Sequence, residues 1–137
     1  MKSRVVFKSA SIEWPTPHAV YEQLDREFQF NFDPCPIDGS NGDGLATLFT
    51  PWSGKRVFCN PPYGPQIRKF LDRACEAELA VFLIPARTDT KWFHQVVLPF
   101  ASEIRFIPGR LKFGDATNSA PFPSMIVVFQ GVSNGTR

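Results

Sequence analysis

A chain of 137 residues with 43% hydrophobic and 20% charged residues is long enough for one real core and too short for two. That composition excludes a disordered or low-complexity protein, and a net charge of only +2 gives no general electrostatic preference for nucleic acid. Three cysteines, Cys35, Cys59 and Cys75, are odd in number and contain no CxxC pair, which argues against a disulfide framework and a zinc site and for a reducing compartment.

At the N-terminus the apolar run Val5-Val6-Phe7 is too short for a signal peptide, and no segment could span a bilayer, so a cytoplasmic protein with one domain over 1–137 is expected, ordered from about 12 to 131. Thr16 is a good N-cap with Pro17 at the first helical position, and Val20, Leu24 and Phe28 repeat at helical spacing. A helix near Pro17 to Glu27 follows, with Trp14 as either a core anchor for it or a site residue. Phe28-Gln29-Phe30-Asn31-Phe32 alternates as a strand does. Asp33 then stands at a strand's carboxyl end, suited to a ligand's amine or hydroxyls, or simply starts a turn before Pro34. Asp38 to Leu45 is a Gly/Asn/Asp loop.

Val57-Phe58-Cys59 reads as a buried strand that runs into Asn60-Pro61-Pro62-Tyr63. The two prolines forbid helix and further ladder pairing, leaving a stiff loop at the carboxyl edge of a strand, where open α/β sheets place their sites. Asn60 and the Pro61 carbonyl supply acceptors, neither proline supplies an N–H, and Tyr63 adds a flat aromatic face. Those parts suit an exocyclic amino group conjugated to a ring, although Pro-Pro-Tyr also serves as a stiff turn or a polyproline ligand. The four residues resemble the catalytic motif of amino-methyltransferases that use S-adenosylmethionine.

Ile67, Phe70, Leu71, Ala74 and Cys75 mark the apolar face of a second helix, with a charged, solvated face opposite. Leu79 to Ile84 is a continuous apolar run, expected as a strand covered on both sides and ended by Pro85. Arg87-Thr88-Asp89-Thr90 offers N-caps for a short helix carrying Trp92, Phe93 and His94. Ile104 to Ile107 and Met125 to Phe129 are two more strands, expected to pair antiparallel because no helical pattern separates them. The long loop between them, Gly109 to Pro123, has a length often associated with function. The tail Ser133 to Arg137 is expected to fray.

The series Trp14-x-Thr16-Pro17, Asp33-Pro34-Cys35, Asn41-Gly42 with Gly44-Leu45, Trp52-Ser53-Gly54, Val57 to Gly64, Leu83 to Trp92, Arg110-Leu111-Lys112-Phe113 and Ala120 to Met125 resembles, in order, the phage-type DNA N6-adenine methyltransferase (Dam) family. The resemblance implies an α/β fold: a single compact Rossmann-like methyltransferase domain with a mixed sheet and a C-terminal antiparallel strand pair. It implies S-adenosylmethionine as donor, a flipped-out adenine as acceptor and double-stranded DNA as partner. By position, Asn60, Pro61, Pro62 and Tyr63 would form the catalytic loop and base pocket. Asp33 would hold the donor with Trp14, Thr16, Pro17 and Asn60 on the same side. Arg87, Thr88, Asp89, Lys91, Trp92, Arg110, Lys112 and Phe113 would meet DNA, the basic ones at phosphates, with Trp92 or Phe113 as a second stacking surface. No metal is implied. The chain has no Gly-x-Gly turn after Asp33, on which larger methyltransferases cradle the donor, and no room for a target-recognition domain. Specificity would then come from short loops, a second copy of the chain or a separate partner. NPPY-type loops also serve RNA bases and protein glutamine, and a nucleic-acid-binding module without catalysis is the rival from another class.

Overall fold

The computed structural model describes residues 14–36, 50–113 and 119–131. The loop expected at Asp38 to Leu45 and the tail from Ser133 lie outside the described residues. In chain order the elements are α1 (His18–Phe28), β1 (Arg56–Cys59), α2 (Ile67–Leu71), a 3-10 turn (Ala74–Glu76), β2 (Leu79–Pro85), a π-helical stretch (Phe93–Val97) running into α3 (Leu98–Phe100), β3 (Glu103–Phe106) and β4 (Ser124–Gln130). They build one four-stranded mixed sheet in the order β1-β2-β4-β3, giving an α/β fold.

The sheet is organised about β2. Its seven residues are all buried, as a strand with both faces covered should be. Ala80, Phe82 and Ile84 enter a core with Trp52, Phe70, Leu71, Phe93 and Phe129. Leu79, Val81 and Leu83 enter a second core with Leu24, Phe28, Phe58, Ile126 and Val128. Alternation along one strand thus feeds two layers, one of α2 and the π-helical stretch, the other of α1. β1 lies parallel to β2, and β4 lies antiparallel to both β2 and β3. Among the described residues no helix is long and apolar enough to cross a membrane.

Cys75, expected on the apolar face of one continuous second helix, is exposed in the 3-10 turn that follows α2, and two further local expectations change. The strand expected over Phe28 to Phe32 is reduced to a single parallel bridge between Phe32 and Val57. The reason lies on either side of it. Gln29 leaves α1 in the left-handed region at φ 54°, with the Phe30 N–H bonded to Asp25 Oδ1 at 2.9 Å. Asn31 Oδ1 then takes the Arg56 N–H at 2.8 Å, a donor that a regular ladder would have given to a backbone carbonyl. Arg56 returns the favour at the helix end, its Nε donating to the Phe28 carbonyl at 2.8 Å, a cation where the helix dipole is negative. The second change is at the start of α1, where Pro17 rather than Thr16 is the N-cap, with no side-chain cap. The Thr16 hydroxyl is used elsewhere.

Candidate active site

Strand direction gathers the site. β1 and β2 are parallel, so Asn60 and the Pro85–Arg87 segment leave the sheet at one edge. The Phe32–Val57 bridge is also parallel, which brings Asp33 to that edge. β4 runs the other way and therefore starts there, preceded by Pro121 and Phe122, while β3 ends there and leads toward Arg110 to Phe113. Residues that are far apart in sequence become neighbours only through this register.

Asn60 is the best-defined part. Its Nδ2 donates to the Trp14 carbonyl at 2.5 Å and to Thr16 Oγ1 at 3.0 Å. A carbonyl can only accept, so the contact with Trp14 identifies the nitrogen end of the amide. The other end, Oδ1, is shielded from solvent and has no hydrogen-bond partner among the described residues. An unsatisfied buried acceptor costs about 1–3 kcal/mol, and such groups call for an explanation by strain, catalysis or a ligand. The stiff loop holds it there: Pro61 and Pro62 are buried and cannot relax into helix or ladder.

Tyr63 is bolted to the central strand. Its hydroxyl donates to the Leu83 carbonyl at 3.1 Å, and only 8% of the residue is exposed. Burial holds its phenol well above the ordinary range, so it stays protonated at any physiological pH. The ring meets Phe122 edge-on at 5.5 Å and Phe113 at 6.3 Å. Trp14 closes the group, 5.2 Å from Phe122 and 5.5 Å from Phe113.

Beside these rings lies a cavity of about 460 Å³ lined by Trp14, Tyr63, Gly64, Ile67, Pro85, Arg87, Thr90, Trp92, Pro121 and Phe122. Its volume and apolar walls are those of a small-molecule site. Trp92 and Arg87, expected to meet DNA, are among the residues that line it. Phe113 does not: at 2% exposure it packs behind Trp14, Tyr63 and Phe122 and supports the wall. Gly64, Ile67, Pro85, Pro121 and Phe122 were not expected from the sequence to line a site. The only signal for Phe122 there was its place in the Ala120 to Met125 segment.

The cavity rim is ordered by its own side chains. Thr90 Oγ1 donates to the Arg87 carbonyl at 2.9 Å and accepts the Phe93 N–H at 3.2 Å, capping the helical run that follows. His94 Nε2 lies 2.7 Å from the Thr88 carbonyl and donates to it. Arg87, Thr88, Asp89, Lys91, Arg110 and Lys112 are exposed around this edge. Asp33 Oδ1 accepts the Cys35 N–H at 2.8 Å, closing a turn. Pro17, one residue past Thr16, carries the carbonyl that accepts the Tyr21 N–H at 3.1 Å and begins α1.

A family model for DNA N-6-adenine-methyltransferase (Dam) matches residues 4–135, nearly the whole chain. The chain belongs to that family. No curated protein matches it.

Proposed function

We propose that this chain transfers a methyl group from S-adenosylmethionine to N6 of an adenine flipped out of double-stranded DNA. The observation that carries the reading is the buried, unpartnered Asn60 Oδ1 at the end of an amide whose orientation is already set. Family membership supports the DNA adenine acceptor. On this reading the four-stranded sheet is a reduced Rossmann-like methyltransferase core.

The residues suit the donor. A cavity of about 460 Å³ with aromatic walls accepts a purine or a sulfonium, and Asp33 at the same edge offers a carboxylate for an amine or ribose hydroxyls, with Trp14 and Pro17 nearby. When bound, the donor supplies a methyl on a positively charged sulfur, already electrophilic enough that no covalent enzyme intermediate is required.

The chain's own contribution is placement and charge stabilisation. The lone pair of adenine N6 is delocalised into the ring and is a poor nucleophile. Asn60 Oδ1 accepts one N6–H, and the Pro61 carbonyl accepts the other, which favours the nitrogen as positive charge develops on it. Asn60 is a neutral amide and Tyr63 a protonated phenol, so neither acts as a strong base; the proton leaves to water after transfer. Flipping the base costs roughly a few kcal/mol, and stacking among the cavity rings returns about 1–3 kcal/mol. Arg87, Lys91, Arg110 and Lys112 hold phosphates around the rim, with sequence choice left to short loops, a second copy or a separate partner.

The test is to incubate the protein with labelled donor and DNA, digest to nucleosides and separate them by mass spectrometry. N6-methyladenine is expected. N4-methylcytosine, or methylated RNA or protein in place of DNA, would overturn the acceptor. DNA binding without any donor binding would leave a binding module instead.

A further inference from the structure

We propose that Thr16 is a positioning residue for Asn60, setting the direction of its Oδ1 and so governing turnover rather than holding the donor. The inference rests on the methyl-transfer reading of Asn60. Thr16 stands where the sequence offers a helix cap. The helix forgoes it: α1 starts at His18 with Pro17 as its N-cap and has no side-chain cap. The hydroxyl instead lies 3.0 Å from Nδ2 of a residue 44 positions later.

The geometry of an amide explains what this does. Its two N–H bonds lie in the amide plane about 120° apart. One acceptor, the Trp14 carbonyl, identifies the nitrogen but still lets the plane swing about the bond to Cβ. A second acceptor at Thr16 Oγ1 removes that freedom, and the plane that results fixes where Oδ1 points. Oδ1 itself, without a partner, does nothing to hold the amide. Among the described residues the amide's hydrogen bonds come from the Trp14–Thr16 segment, and Thr16 supplies the one that a side-chain change can remove.

The full-length wild type, Thr16→Val and Thr16→Ser decide the matter, with Thr16→Ala run in parallel and read as the valine variant is. Valine keeps the shape and loses the acceptor; serine keeps the acceptor. Two side-chain amide proton signals of Asn60, well separated and slow to exchange with water, are expected in the wild type and Thr16→Ser by ¹H–¹⁵N NMR. In Thr16→Val they should converge and exchange faster. The turnover rate kcat should fall about tenfold in Thr16→Val, on the order of one hydrogen bond, and stay within about twofold in Thr16→Ser. Donor Kd and the KM for DNA should stay within about twofold in all variants. A tenfold loss of donor affinity with kcat unchanged would make Thr16 a donor ligand and overturn the proposal. So would a serine variant as slow as the valine one. If the wild type produces no methylated base at all, the methyl-transfer reading fails by itself. The NMR arm then still decides the anchor, and Asn60 amide signals unaltered by Thr16→Val would refute it.

Discussion

Replacing Asn60 by alanine should separate stability from activity. The substitution removes two hydrogen bonds, to the Trp14 carbonyl and to Thr16 Oγ1, each worth a net 0.5–1.5 kcal/mol or so. It also removes a buried acceptor with no partner, a group that costs the folded state about 1–3 kcal/mol. The two contributions oppose each other and are of similar size. Asn60→Ala should therefore unfold within about 1 kcal/mol of the wild type. The rate has no such compensation. Losing one oriented partner to charge developing in a transition state costs on the order of 10²–10³ in rate. Urea unfolding at equilibrium gives the first quantity, and single-turnover methylation with saturating donor and DNA gives the second. A variant destabilised by 3 kcal/mol but methylating within a few-fold of the wild type would show that Asn60 is a structural clamp, and the catalytic reading would go.

Tyr63→Phe should keep the ring contacts with Phe113 and Phe122 and lose only the bond to the Leu83 carbonyl, lowering stability by about 0.5–1.5 kcal/mol while retaining most activity in the same assays. The same phenol gives a pH dependence. Its folded pKa lies above the ordinary value of about 10, so the unfolded chain loses this proton first. That stabilisation is fully present below about pH 10 and is lost above it, at up to about 1.4 kcal/mol per pH unit. Denaturant midpoints measured from pH 8 to 11.5 should fall less steeply in Tyr63→Phe than in the wild type. Replacing Arg110 and Lys112 together by alanine should reduce the slope of log K against log salt by about two, one phosphate contact each, when DNA binding is followed by fluorescence anisotropy. Arg56→Ala removes a charged donor from the Phe28 carbonyl at the sheet edge opposite Asn60, and should cost about 1.5–3 kcal/mol in unfolding with single-turnover methylation unchanged.

What the sequence made legible follows from how far each signal reaches. β2 announces itself because six consecutive apolar residues admit few other environments, and α1 does so through its repeat of Val20, Leu24 and Phe28. The strand expected at Phe28 to Phe32 has as regular an alternation, yet it is reduced to one bridge, with Gln29 in the left-handed region and the Asn31 side chain accepting the Arg56 N–H in place of a backbone carbonyl. No periodicity encodes such a substitution of side chain for backbone. Thr16 shows the same limit. Its local context specifies a helix cap, and only the register of β1 brings Asn60 within 3.0 Å of it. Phe122 is harder still, since nothing near it in sequence marks it as a wall of the cavity. It reaches the site because β4 runs antiparallel to β2 and so begins at the edge where β1 and β2 end. Chemistry-bearing residue types such as Asn60 and Tyr63 can be read one at a time. The partners that aim them are set by strand direction and register, which is why the anchor of the Asn60 amide and the rings around Tyr63 appear only once the sheet is in place.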